Sequence, residues 1–255
     1  MVKATEHPSY PNPTIAEAVC EIQFELTEEN PWKPSLFGDF YKNVQSEYPE
    51  MEPLQGVGLQ LQVGPQGVGQ KLTPPRQRMR FKHAERPLFL QLEESSLIVN
   101  FLAPYPGWDT VVRDVMNAWG HAEQVLDLSV VTRIGLRYIN RVERTSPTDR
   151  PRDWVKPNDY VAAEVLNSKP GFLSRVETRT SEYDTIIVTF GDQPPEGFSS
   201  FGAIILDIDR STNRTLPARA QELEREVTRL HEDVWQVFSS AKGDRLEALL
   251  QGAES

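Results

Sequence analysis

The sequence predicts an α+β fold in which pseudo-duplicated β-α-β-β-β-α units form a large, mainly antiparallel, curved sheet with helices packed on one face. Two observations predict it. Ala18 to Leu26 and Val130 to Val142 both alternate apolar and polar side chains, as a strand buried on one face does. The same order of elements then follows each of these segments, and an order that recurs along a chain indicates an internal repeat.

The first unit begins with the earlier alternating segment. The Pro/Trp/Lys cluster from Asn30 to Pro34 ends it and opens a helical segment that reaches about Tyr48. Three short strand-like runs with polar turns between them come next, and such a meander favours antiparallel pairing. These runs are Arg78 to His83, Leu88 to Leu92 and Leu97 to Leu102. An amphipathic helix over Trp108 to Gln124 closes the unit.

The second unit repeats the order. A Trp/Lys/Pro cluster at Trp154 to Pro157 precedes a predicted helix from Asp159 to Leu166. The three matching strand-like runs are Phe172 to Thr180, Thr185 to Phe190 and Ala203 to Arg210. A long helix is predicted from Leu216, with apolar residues at steps of three and four. The spacing fits a coiled-coil seam or a helix that lies across the sheet, and the sheet is favoured. Its predicted buried residues are Leu216, Ala220, Leu223, Val227, Leu230, Val234 and Val237.

The 255 residues exceed the usual size of one domain, yet two repeats that share a sheet can form a single body of this length. Residues 1–14 contain three prolines and few apolar residues, so an extended N-terminal arm is predicted. Residues 15–143 hold the first repeat and the start of the second, and residues 144–255 hold the remainder. One globular body is expected. A split into two domains near residues 144–158 is the alternative.

The composition is that of a soluble globular protein, with 38% hydrophobic and 25% charged residues. No apolar run is long enough for a membrane helix, and the N-terminal residues lack the apolar core of a secretion signal, so a cytoplasmic location is expected. The net charge of −10 argues against nonspecific nucleic-acid binding over the whole surface. The single cysteine, Cys20, is in phase with Ile22 and Phe24 and is expected to be buried.

Charged side chains recur at every second position of several predicted strands, which places them on one face of the sheet. If that face is concave, it forms a groove in which guanidinium groups bind phosphate or carboxylate, and in which two aspartates bind a divalent metal. The alternative is cross-strand ion pairing on an exposed face. The candidate binding residues are Arg133, Arg137, Arg141, Arg175, Arg179, Glu21, Asp207 and Asp209, with Arg78, Arg80 and Lys82 on a further strand.

No known catalytic signature is evident. The four histidines, at positions 7, 83, 121 and 231, do not have zinc-site spacing, so neither a metal site nor a cofactor is predicted. Gly-x-Ser-x-Gly is absent. The segment from Gly56 to Gly69 lacks the Gly-Lys-Ser/Thr ending of a phosphate-binding loop, and its Leu59, Leu61 and Val63 alternate with glutamines as in a strand. No catalytic residue is therefore assigned.

The opening segment from Tyr10 to Phe24 reads YPNPTIAEAVCEIQF. It resembles the start of a sporadically distributed family of uncharacterised bacterial and archaeal proteins, which reads tyrosine or phenylalanine, then Pro-x-Pro-Pro-Ile-x-Glu-Ala-Val-x-Glu-Ile-x-Phe. Leu136 to Arg141 and His231 to Phe238 are similar to that family too, and Thr14 replaces its second proline. The resemblance implies no activity. The patchy distribution of the family points to mobile or defence-linked gene neighbourhoods.

These observations predict a non-enzymatic cytoplasmic interaction or regulatory protein, an accessory component of a defence or toxin–antitoxin-like module. Its expected partner is another protein, encoded nearby, and a homo-oligomer is a further option. The alternative is an enzyme that binds or processes a nucleotide or nucleic acid in a charged groove on the sheet, through Arg137, Arg175 and Asp207. No membrane partner is expected.

Overall fold

The computed structural model of the chain describes residues 7–54, 58–64, 67–73, 77–169, 171–195 and 201–253, with only the backbone for 58–64 and 67–73. Residues 7–14 contain no helix or strand, as the sequence predicts for the N-terminal arm. The rest of that predicted arm, residues 1–6, lies outside the described residues. Among the described helices, none is long and apolar enough to span a membrane.

Twelve strands and five α-helices are formed by the described residues. The strands are β1 (Ile15–Leu26), β2 (Glu50–Leu54), β3 (Gly58–Gly64), β4 (Gly67–Thr73), β5 (Arg78–Lys82), β6 (Leu88–Glu93), β7 (Ser96–Leu102), β8 (Leu128–Glu143), β9 (Leu173–Arg179), β10 (Asp184–Gln193), β11 (Ala203–Thr212) and β12 (Leu216–Pro217). The helices are α1 (Ser35–Val44), α2 (Trp108–Glu123), α3 (Pro151–Trp154), α4 (Ala220–Ala241) and α5 (Asp244–Leu250).

One ten-stranded sheet contains every strand except β3 and β4, which pair only with each other. Its order is β2-β5-β6-β7-β1-β8-β11-β10-β9, and β12 pairs with β8. All of the described pairings are antiparallel. The predicted α+β class, with a large antiparallel sheet and helices, is therefore confirmed.

The two long alternating segments, β1 and β8, are neighbours at the centre of this sheet. From β1 outward the order is β7, β6, β5, and from β8 outward it is β11, β10, β9. Each half of the sequence thus contributes a central strand and a meander of three strands in the same order. This order is what the predicted duplication requires, but the duplication itself stays a prediction because strand order does not establish that the halves superpose.

The two faces of the sheet differ in burial. On β1, Ala18, Cys20 and Ile22 are fully buried, while Glu21 between them is on the opposite face and partly exposed. Cys20 is therefore buried, as predicted. We call the opposite surface the open face. It also carries Arg137 of β8, because Arg137 lies directly opposite Val19, which is on the same face of β1 as Glu21.

Helix α4 lies across β8 and β11 and also contacts α2. Its buried residues include Leu223, Val227, Leu230 and Val234, so the prediction that this helix packs on the sheet is confirmed. The prediction that Ala220 is buried is wrong, since Ala220 is the exposed first residue of the helix. The apolar faces of α1 and α2 belong to the same hydrophobic core as that of α4.

One predicted helix begins later than expected, and another does not form. Leu216 and Pro217 form strand β12 beside β8, and α4 begins only at Ala220. The helix predicted from Asp159 to Leu166 is absent, and only a 3-10 turn at Val165–Asn167 forms there. The Asn158 side chain accepts hydrogen bonds from the backbone N–H groups of Tyr160 and Val161, two and three residues further along the chain. This local turn competes with a helix for the same backbone groups.

Candidate functional site

All eight candidate binding residues lie on the open face. The register places Asp207 beside Ile139, Asp209 beside Arg137, and Arg175 beside Thr189, which is itself beside Asp207. The sequence therefore predicts correctly which face carries these residues. Whether they bind a ligand depends on what their charged groups already contact.

Arg137, near the middle of the sheet, is fully engaged by an internal acid. Its Nε donates to Oδ1 of Asp207 at 2.8 Å and its Nη2 donates to Oδ2 at 2.6 Å. The hydrogen bonds to Asp207 raise the pKa of the Arg137 guanidinium above its ordinary value. This pairing uses two of the five N–H donors of the guanidinium, and the neighbouring carboxylate offsets its positive charge.

The other two arginines of β8 are paired as well. Nη1 of Arg133 donates to Glu21 Oε2 on β1 at 2.6 Å. Arg141 forms an ion pair with Glu143, two residues along its own strand, and its Nε donates to Gln193 Oε1 at 3.0 Å. The repulsion expected among three arginines on one strand is thus relieved by neighbouring acids.

Pairing extends to both ends of the sheet. On the outer strand β9, Arg175 binds Glu177 at 2.9 Å, and both side chains are more than half exposed. Arg179 is exposed and has no hydrogen-bond or ion-pair partner among the described residues. At the far end, the basic residues of β5 face acids as well. These pairs are Arg78 with Glu93, Arg80 with Glu52 and Lys82 with Glu50.

Asp209 is the exception near the centre of this face. It is partly buried, and among the described residues no group donates a hydrogen bond to its carboxyl oxygens and no cation lies within ion-pair distance of them. Burial raises the pKa of the Asp209 carboxyl, while the nearby charges of Arg133 and Arg137 act in the opposite direction. The fold therefore carries a carboxylate whose ionised form is poorly stabilised by its own surroundings.

The pair Asp207 and Asp209 does not have the surroundings of a metal site. Asp207 is occupied by Arg137, and no group of three His, Cys, Asp or Glu ligands forms around the two aspartates among the described residues. Divalent cations such as calcium require more oxygen ligands than one free carboxylate provides. The metal hypothesis for these two residues therefore gains no support from the geometry.

A cavity of about 530 Å³ lies on the opposite side of the sheet from the open face, beneath the N-terminal arm. The arm is held over it by hydrogen bonds from Asn12 N to Leu250 O at 3.1 Å and from Thr14 Oγ1 to Asn140 Oδ1 at 3.2 Å. Gly107 lines the cavity and immediately precedes α2. Its φ of +89° is one that glycine adopts readily and other residues rarely do. Six aromatic side chains line the cavity: Tyr10, Tyr105, Trp108, Tyr138, Trp235 and Phe238.

His231 of α4 is the most unusual polar residue in this cavity. It is only 7% exposed, and its ring stacks on that of Trp108 with the centroids 3.7 Å apart and the planes 6° from parallel. Its buried Nδ1 has no hydrogen-bond partner among the described residues. Burial, and then the nearby His7, lower the pKa of His231 to about 3, so the ring is neutral at physiological pH.

His7 and Glu232 lie beside His231. Nε2 of His7 is 2.8 Å from Oε1 of Glu232, and the His7 ring packs against Trp235 with a centroid distance of 4.6 Å. One ligand atom from each of His7, His231 and Glu232 lies within 4.8 Å of the others, and this is the one such group among the described residues. These are accordingly the described residues that could hold a metal ion.

Sequence reasoning missed this cavity because its polar groups are distant in the chain. His7 and Glu232 are 225 positions apart, and only the contact of the arm with α4 joins them. A signal was nevertheless present, because three segments to which the sequence draws attention all contribute residues to the lining: Tyr10 to Phe24, Leu136 to Arg141 and His231 to Phe238. Comparisons of the chain with protein-family models and with curated proteins find no match.

Proposed function

We propose that this chain is a non-enzymatic binding protein that docks a protein partner on the open face of its sheet. The observation that carries the proposal is Asp209, a partly buried carboxylate with a raised pKa and no bonding partner among the described residues. A carboxylate that its own fold stabilises poorly is a group that natural proteins retain for function rather than for stability.

The paired arginines favour a protein partner over a phosphate-bearing ligand. Arg133 and Arg137 already hold internal carboxylates, whose negative charges offset theirs and weaken the attraction of this face for phosphate. Protein interfaces, in contrast, accommodate pairs of this kind between apolar contacts. The open face offers such contacts, because the partly exposed Ile139 lies beside Asp207 and Ile187 lies beside Asp209.

The charge of Asp209 specifies what the partner should present. A lysine or arginine of the partner, brought against Asp209 and shielded from water by the neighbouring isoleucines, would supply the missing counter-charge. The net charge of −10 would in addition speed the encounter with a basic protein. We therefore propose a partner with a basic docking surface.

The biological setting follows from the family resemblance. A sporadically distributed binding protein with no predicted catalytic residues suits the role of an accessory or regulatory component in a cytoplasmic defence or toxin–antitoxin-like module. In such a module, the basic partner would be encoded by a neighbouring gene. The resemblance supports this setting, and the open face supports the binding role.

Site-specific photocrosslinking in the cells from which the protein comes tests the proposal. A benzophenone amino acid at Ile187 would report on the open face, and the same residue at Gln236, which is exposed on α4, would serve as the control. We expect a single covalent protein adduct from position 187 and none of the same mass from position 236. No adduct from 187, or the same adduct from both positions, would contradict docking on this face.

A further inference from the structure

The lining of the cavity beneath the N-terminal arm suits a cation. Its described residues include six aromatic side chains and the carboxyl group of Asp109, but no lysine or arginine. Aromatic faces and carboxylates attract positive charge. An anion would find no basic side chain in this lining to bind.

The donor atoms of two lining residues, His7 and His231, and of the adjacent Glu232 narrow the choice of cation to a transition metal. His7, His231 and Glu232 provide two imidazole nitrogens and one carboxylate oxygen, a donor set that zinc accepts. A tetrahedral zinc ion with bonds of about 2.0 to 2.2 Å holds its ligand atoms about 3.3 Å apart. The three atoms lie within 4.8 Å of one another, so small rotations would bring them to that spacing.

Two of the three side chains are placed to make such an adjustment. The His231 ring is fixed by its stacking on Trp108, while the side chains of His7 and Glu232 are 14% and 27% exposed and lie nearer the surface. A neutral imidazole is the form that binds metal, and His231 is held in that form. Its Nδ1 is also a buried nitrogen without a hydrogen-bond partner among the described residues, so the ring is incompletely satisfied by the protein itself.

We propose that His7, His231 and Glu232 form a zinc site that fastens the N-terminal arm to α4. Because three side chains provide only three of the four ligands, the fourth position would face the cavity and be open to water or to a bound molecule. The site is on the opposite side of the sheet from Asp209, so it is independent of the proposed partner-binding face. Zinc binding would order the arm, because the arm provides His7 as one of the metal ligands.

Calorimetric titration of the untagged, chelator-treated full chain with Zn²⁺ tests the proposal. We expect one zinc ion per chain, and an affinity at least about tenfold lower in each of His7→Gln, His231→Gln and Glu232→Gln. His121→Gln on α2 and Glu224→Gln on the outer face of α4 are matched controls that should bind as the wild type does. Because His231 lies in the core, the arm variant His7→Gln keeps the test valid if His231→Gln fails to fold.

Two further measurements separate a built site from surface binding. Co²⁺ in place of Zn²⁺ should give the intense visible absorption of a tetrahedral site in the wild type and not in His7→Gln. Zinc should also slow amide hydrogen exchange in residues 7–15 of the wild type. Absence of stoichiometric zinc binding, or binding that none of the three variants weakens, would overturn the proposal.

Discussion

Arg137 reaches diagonally across the sheet to Asp207 rather than to Asp209, the residue directly opposite it. The register pairs Arg137 with Asp209, yet both hydrogen bonds of its guanidinium go to Asp207, at 2.8 and 2.6 Å. One choice of partner thus explains two features of the open face. It neutralises Asp207, and it leaves Asp209 without a bonded cation among the described residues.

Arg137→Ala should destabilise the protein. Asp207 is only 8% exposed, so removal of the arginine leaves a buried carboxylate unpaired, at a cost of about 1 to 3 kcal/mol in the free energy of unfolding. Urea denaturation at neutral pH measures this. Arg175→Ala is the control, because that arginine and its partner Glu177 are mostly exposed and the change should be within about 0.5 kcal/mol. Equal stability of the two variants would contradict a structural role for Arg137.

Arg144→Met should lower the free energy of unfolding more than Arg137→Ala does. Arg144 forms an ion pair with Asp192, and their side chains are 3% and 7% exposed. Loss of one partner of a buried pair typically costs about 3 to 5 kcal/mol, because the other charge is left without compensation. The double variant Arg144→Met/Asp192→Asn should recover part of this loss, since no buried charge remains. If thermal melting shows no recovery, the loss would come from packing rather than from the charge.

Cys20 should be unreactive in the folded protein. The thiol is fully buried on β1, and burial raises its pKa to about 12, so almost no thiolate forms at pH 8. A water-soluble maleimide should therefore label the native chain very slowly and the urea-denatured chain rapidly. Rapid native labelling would indicate that β1 presents its other face to the core, because a shift of one residue exchanges the two faces.

Acid should weaken the fold through His231. Its folded pKa of about 3 lies below its ordinary value of 6.5, so below pH 6.5 the unfolded chain takes up a proton that the folded chain does not. The free energy of unfolding then decreases as the pH falls from 6.5 towards 3. Between pH 7 and pH 5 the linked loss is about 2 kcal/mol.

Urea denaturation at these two pH values, in the presence of a chelator, measures that loss. The wild type and the control His121→Gln should both lose about 2 kcal/mol more than His231→Gln, whose side chain does not titrate. The carboxylates that the fold stabilises, such as Asp184, have a lowered pKa and contribute below this pH window. An identical loss in His231→Gln would mean that other groups carry the acid sensitivity.

The strands that are buried on one face were predictable from the sequence because their burial follows a period of two. β1, β6 and β10 show that alternation along most of their length, and β8 shows it in its second half. The edge strand β2 (Glu50–Leu54) was missed because most of its side chains are exposed and it has no apolar face to reveal it. The strand predicted at Leu59 to Val63 is confirmed as part of β3, whose hairpin partner β4 was not foreseen.

The candidate site was predictable only in part. Alternation placed Arg137 and Asp207 on one face, but it could not show that they bond to each other, since that depends on the register between β8 and β11. The group formed by His7, His231 and Glu232 could not be predicted from spacing, because the contact between the arm and α4 joins opposite ends of the chain.

Asp209→Asn tests the binding role of the open face most directly. The substitution keeps the shape of the side chain but removes a charge that the fold disfavours, so the melting temperature should be unchanged or higher. Affinity for the protein crosslinked at position 187 should nevertheless fall at least about tenfold, the usual effect of losing one charged contact at the centre of an interface. Glu224→Gln, which removes one charge from the exposed outer face of α4, should leave both quantities unchanged. An Asp209→Asn protein that is equally stable and binds its partner with wild-type affinity would contradict the account.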